Sequence, residues 1–134
     1  MFKLNEKIHN DTFEICDLSL CQVRLMNDAN YPWLILIPHI ADITELHHIP
    51  TEKQPDLWLD INAASHVMEE LFTPKSLNVA ALGNVVSQLH IHVIARFESD
   101  ATWPGPVWGQ HPARPYPSDE VANRIRNTFN QLKK

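Results

Sequence analysis

Gln88-Leu89-His90-Ile91-His92-Val93 alternates polar and apolar side chains, flanked by Ser87 and Ile94. That is the period of a β-strand, in which successive side chains point to opposite faces. A strand over 89–97 turns Leu89, Ile91 and Val93 to one face and Gln88, His90 and His92 to the other. Burying the apolar face fixes the register, because a one-residue slip would invert every side chain. Two imidazoles and an amide are then expected side by side on an uncovered face, successive ones roughly 6–7 Å apart.

Working outward, a second strand is expected over 77–82, joined to the first across Gly83-Asn84. Upstream, Phe13 to Met26 alternates loosely and reads as one or two strands with a turn near Leu18–Ser19. Trp33-Leu34-Ile35-Leu36-Ile37 is a continuous apolar run between Pro32 and Pro38. It is too short for a helix and reads as a buried central strand. From Thr51 to Phe72, Leu57, Ile61, Ala64, Met68 and Leu71 recur at helical spacing. Thr51 with Gln54 suggests a capping box, Pro55 falls in the first turn, and Pro74 stops the helix. A C-terminal helix is expected over 118–132, with Ser118 as N-cap and Val121, Ile125, Phe129 and Leu132 as its stripe.

Residues 103–117 form a separate kind of segment. The five prolines of the stretch from Thr102 to Pro117 forbid regular structure. Trp103, Trp108 and Tyr116 can still anchor it as a packed arm. Strands early, one long helix, then strands again give an α+β class with a mainly antiparallel sheet. The 134 residues suit a single domain over 1–134.

Composition narrows the function. The formal net charge is −5, and 44% of residues are hydrophobic against 20% charged. That balance is globular, and it argues against general nucleic-acid binding, which needs concentrated Lys and Arg. Arg124, Arg126, Lys133 and Lys134 form the one basic cluster, read as the last turn of a helix. Cys16 and Cys21 fit neither a redox nor a zinc spacing and read as reduced thiols. The first residues lack an apolar signal region, and no apolar run approaches the roughly 20 residues of a membrane span. A cytoplasmic protein without membrane or nucleic-acid partners is expected.

The His-x-His pair carries the chemistry. Near its free pKa of about 6.5, a neutral imidazole is both base and nucleophile. If one ring nitrogen donates to a fixed acceptor, the other keeps its lone pair for a ligand. The layout suits in-line attack on phosphorus. His-x-His also pairs on zinc, with His39, Glu45, His47, His48, His66 or His111 as possible third ligands, but none stands at a recognisable spacing. His66 reads as a surface histidine. Three glycines cannot build a phosphate loop, and no GxSxG is present. Asn27 and Asp28 sit in a polar turn before the central strand, where turn chemistry competes with ligand contact.

Gln88-Leu89-His90-Ile91-His92-Val93-Ile94 resembles the histidine triad (HIT) signature, His-φ-His-φ-His-φ-φ, at six of seven positions. Leu34 to Pro38 is similar to the family's central strand. Asn84 precedes the signature, and Trp103-Pro104 resembles the C-terminal stretch of nucleoside phosphoramidase members. The resemblance spans roughly residues 13 to 108. It implies a five-stranded antiparallel sheet with helices, usually paired as a homodimer, and no cofactor or metal. It implies that His90 attacks the α-phosphate to form a nucleotidyl-histidine, that His92 supports it, and that Asn84 binds phosphate or leaving-group oxygens. Asn27, with Asp28 as competitor, stands where a family residue meets the ribose. Two positions depart: Gln88 replaces the first histidine, and Trp33 stands where many members carry a further one. Glutamine hydrogen-bonds but cannot ferry a proton.

The expected activity is therefore cleavage of a nucleoside monophosphate from a leaving group: a phosphoramidate, an adenylate or a dinucleoside polyphosphate such as diadenosine tetraphosphate. Rival readings are a metal-dependent hydrolase using His90 and His92, and a nucleotide-binding module without turnover.

Overall fold

Strands β1 (Thr12–Asp17), β2 (Cys21–Met26), β3 (Trp33–Pro38), β4 (Ser76–Ala81) and β5 (Ile91–Arg96) form one antiparallel sheet in the order β1-β2-β3-β5-β4. The computed structural model describes residues 1–132, and helices α1 (Glu6–Asp11), α2 (Gln54–Phe72) and α3 (Glu120–Leu132) pack on the sheet. The fold is the α+β class with an antiparallel sheet expected from the residues, with the five strands that the resemblance implies and β3 at the centre. Every residue of β3 and of β5 is buried, because both faces of the sheet are covered. Leu34, Leu36, Leu89, Ile91 and Val93 share one core with Leu57, Ile61, Ala64 and Met68 of α2 and Ile125 and Phe129 of α3. Trp33, Ile35, Ile37 and Ile94 share a second with Ile8 of α1 and Val107 of the arm.

This second layer corrects the picture of an uncovered histidine face. His90 and His92 are only 7% and 4% exposed. A further correction concerns the start of β5. Leu89 N–H donates to Ile43 O at 3.0 Å instead of joining the ladder. The strand therefore begins at Ile91, and Gln88 does not continue the alternation of His90 and His92.

The long helix starts later than the capping-box reading gives. Thr51–Lys53 form a 3₁₀ turn, and Gln54 Nε2 donates to Ile49 O at 3.1 Å, so the expected Thr51–Gln54 reciprocity is not made. Pro55 sits in the first turn of α2, and Thr73, left-handed at φ 46°, ends it. On α2, Asp60 is 2% exposed and accepts from Ser19, Leu20 and Cys21 N–H at 3.1, 2.8 and 2.8 Å. One carboxylate thus satisfies the β1–β2 turn and locks it to the helix.

Helix α3 begins at Glu120 rather than Ser118, whose hydroxyl accepts from Glu120 N–H at 3.3 Å. Arg124 and Arg126 fall before its last turn, which carries no basic residue. Arg126 instead donates to Glu14 O of β1. Lys133 and Lys134, assigned to the same cluster, lie outside the described residues.

Residues 103–117 carry turns but no helix or strand. Arg96, 1% exposed at the end of β5, gathers this segment. Its guanidinium donates to both Asp100 carboxylate oxygens, to Asn78 Oδ1, and to Gly105 O at 2.7 Å. Asp100 also accepts from Phe97, Thr102 and Trp103 N–H. Burial works against the Asp100 charge. The hydrogen bonds from Arg96, Phe97 and Thr102 and the guanidinium charge outweigh it and hold this carboxyl at about 2.

Candidate active site

A pocket of about 280 Å³ opens on the second face of the sheet. His92 forms part of its floor from β5, and His90 joins from the loop just before that strand. Trp33 enters from β3, Lys7 and Ile8 from α1, Asn84 from the β4–β5 loop, and Trp108 from the arm. The register explains Trp33: it pairs with Ile94, with His92 on the diagonal and on the same face.

His90 is oriented by its own backbone. Its Nδ1 lies 2.7 Å from Gln88 O. A carbonyl only accepts, so Nδ1 carries the proton and Nε2 keeps the lone pair. His92 is held the opposite way. Trp33 Nε1 donates to His92 Nδ1 at 2.9 Å. An indole only donates, so the proton of neutral His92 sits on Nε2. Burial and then the neighbouring His90 push the His92 pKa down to about 3, so the ring stays neutral. The two imidazoles meet edge to face, 4.8 Å between centroids.

Two buried nitrogens of the lining, His92 Nε2 and Trp108 Nε1, have no hydrogen-bond partner among the described residues. Orphaned donors are costly in a folded protein, and their clustering in a pocket is a mark of a site for a polar ligand. Trp108 stands edge-on to Trp33 and His92, at 6.2 and 5.1 Å. Lys7, paired with Asp11 at 2.8 Å, adds a cation.

Of the residues singled out in the sequence, the structure brings His90, His92 and Asn84 to this pocket. Trp33 joins them, while Gln88, Asn27 and Asp28 lie elsewhere. The Gln88 amide donates to Lys3 O and accepts from Asn5 N–H, both at 2.8 Å, and so faces the N-terminal segment. Asn27 Oδ1 accepts from Tyr116 N–H at 2.9 Å. Asp28 Oδ1 accepts from Asn30 and Arg114 N–H at 2.9 and 3.2 Å. Both tie the arm to the body, the turn chemistry that competed with ligand contact. Among the described residues, no group of three or more His, Cys, Asp or Glu side chains could hold a metal ion. Lys7 went unnoticed in the sequence, and Trp108 was read there only as an anchor of the arm. The one signal for α1 was Asn5, whose Oδ1 accepts from Lys7 and Ile8 N–H as an N-cap.

The HIT domain family model matches residues 7–99. The chain belongs to the histidine triad family. A histidine triad protein from Sinorhizobium meliloti 1021 is 44% identical, with 96% of this chain and 97% of that one covered and a TM-score of 0.91. One from Marinobacter aquaeolei VT8 is 43% identical over 98% of both chains, with a TM-score of 0.92. One from Bradyrhizobium japonicum is 39% identical over 97% and 96%, also with a TM-score of 0.92. No curated protein matches. Histidine triad proteins are in general nucleotide-binding proteins and hydrolases. In this one, no helix of the described residues is long and apolar enough to cross a membrane.

Proposed function

We propose that this histidine triad protein cleaves a nucleoside monophosphate from a leaving group, with His90 as nucleophile. The observation that carries the reading is the Nδ1 contact to Gln88 O, which leaves Nε2 unprotonated in a pocket lined with N–H donors. Nε2 attacks the α-phosphorus, the bond to the leaving group breaks, and a nucleotidyl-histidine forms. Water then forms the new P–O bond, the N–P bond breaks, and the electron pair returns to Nε2. His92 Nε2–H and Trp108 Nε1–H hydrogen-bond the phosphoryl oxygens as charge develops. Lys7 supplies charge at the rim, and Asn84, exposed at the mouth, contacts phosphate or leaving-group oxygens.

Mixing enzyme with adenosine 5′-phosphoramidate, acetyl adenylate or diadenosine tetraphosphate labelled at the α-phosphorus, then quenching in base, tests this. An acid-labile label on His90 is expected, absent in His90→Ala. Label persisting in that variant would remove His90 from the role.

The same reading includes a pair of identical subunits. Trp58 and Leu59 of α2 are 63% and 60% exposed, and Val79 on edge strand β4 is 46% exposed. A greasy patch beside an unpaired strand edge is a surface suited to a second copy.

A further inference from the structure

Both departures from the triad pattern bear on one thing, the movement of a proton to the leaving group. Gln88 cannot supply one, since an amide does not titrate near neutral pH and this amide is engaged with Lys3 and Asn5 on the N-terminal segment. His92 cannot either. Protonating its Nδ1 would set an N–H against the Trp33 N–H across 2.9 Å, and giving up the Nε2 proton would leave an imidazolate. His90 is spent as nucleophile, its one proton held on Gln88 O. At the rim, Lys7 pairs with Asp11 at 2.8 Å, and both side chains lie open to solvent, away from the buried rings. Among the described lining residues, Asn84, Thr12 and Trp108 donate hydrogen bonds but do not act as acids near neutral pH.

Resting on the nucleophilic role of His90, we infer that this site serves phosphorus–oxygen bonds whose leaving group departs as a stable anion, an acyl carboxylate or a nucleotide phosphate, and serves amine leaving groups poorly. In the first step the Nε2 lone pair makes the N–P bond. The P–O bond breaks, and its electron pair stays on the departing oxygen, which needs no proton. In the second step water adds to phosphorus, one water proton passes to solvent, and neutral His90 is restored. An amine leaving as such must gain a proton while the P–N bond breaks, and no buried group of the described lining is placed to give it. Gln88 instead acts as a strap. Its amide holds the segment leading into α1, whose Lys7 and Ile8 form one wall of the pocket.

The test is single-turnover formation of the histidine adduct by rapid quench, with full-length protein. The probes are aryl esters of adenosine 5′-monophosphate spanning phenol pKa values, acetyl adenylate and adenosine 5′-phosphoramidate. Without a general acid, the rate is expected to fall by about a decade for each unit of phenol pKa, and the phosphoramidate to lag acetyl adenylate by at least about 100-fold. A flat slope with adduct forming on every probe, the amine included, would overturn the inference and leave His90 as nucleophile. No adduct on any probe would overturn the nucleophilic reading itself, and this inference with it.

Discussion

The indole of Trp33 and the ring of His92 are joined by one hydrogen bond, Nε1 to Nδ1 at 2.9 Å, running from the central strand to its neighbour. The bond fixes which nitrogen of His92 bears the proton, and burial keeps the ring from taking up another. The third histidine of the signature is thereby a permanent donor.

A buried neutral histidine makes the fold sensitive to acid. The pKa of His92 is about 3 in the fold against 6.5 for the free side chain, so between those values the unfolded chain binds a proton that the native chain does not. Stability therefore rises with pH across that window and falls on acidification, by up to about 1.4 kcal/mol per unit. Chemical denaturation from pH 7 to 4 should show this slope, and His92→Asn should reduce it. NMR should find the His92 ring untitrated down to pH 4.

Asp100 acts at lower pH with the opposite dependence on charge. Its folded pKa of about 2 lies below the free value of 3.8, so the stability it contributes is complete above about pH 4 and is lost as pH falls through 2. Asp100→Asn should lower the melting temperature at pH 7 and converge with the wild type near pH 2. Limited proteolysis should cut the arm first in the variant.

Asp60→Ala removes the acceptor of three N–H groups in the β1–β2 turn. Leaving buried donors unpaired should cost about 2–4 kcal/mol, a fall of about 10 °C in melting temperature. A loss under about 1 kcal/mol would mean that water or a shifted turn replaces the carboxylate.

Trp58→Glu puts a charge on the exposed patch beside β4. Sedimentation should find the wild type at twice the chain mass and the variant at the chain mass, with the same circular dichroism. A wild type sedimenting as a single chain would end the pairing proposal.

The sheet was legible because its strands carry simple patterns. An apolar run between prolines could hardly be anything but β3, and the alternation ending at Val93 announced β5. The long helix showed in the spacing from Leu57 to Met68. The pocket's cover was not legible. Helix α1 has six residues and one buried side chain, Ile8, too few for any stripe. Trp108 comes from a stretch whose prolines erase periodicity. Gln88 read as part of the row of rings because alternation assumes an unbroken strand, and the Leu89 bond to Ile43 breaks it. Arg96 gave no sign of burial, since an arginine in a strand ordinarily reaches solvent.

Strand β5 has His92 near one end and Arg96 at the other, and the segment Arg96 gathers returns to lay Trp108 against His92. The distal ion pair is thus a buckle on a belt that closes over the pocket. Slackening it with an isosteric amide at 100 should weaken ligand affinity before the sheet melts, so that loss of grip and loss of fold become separable events.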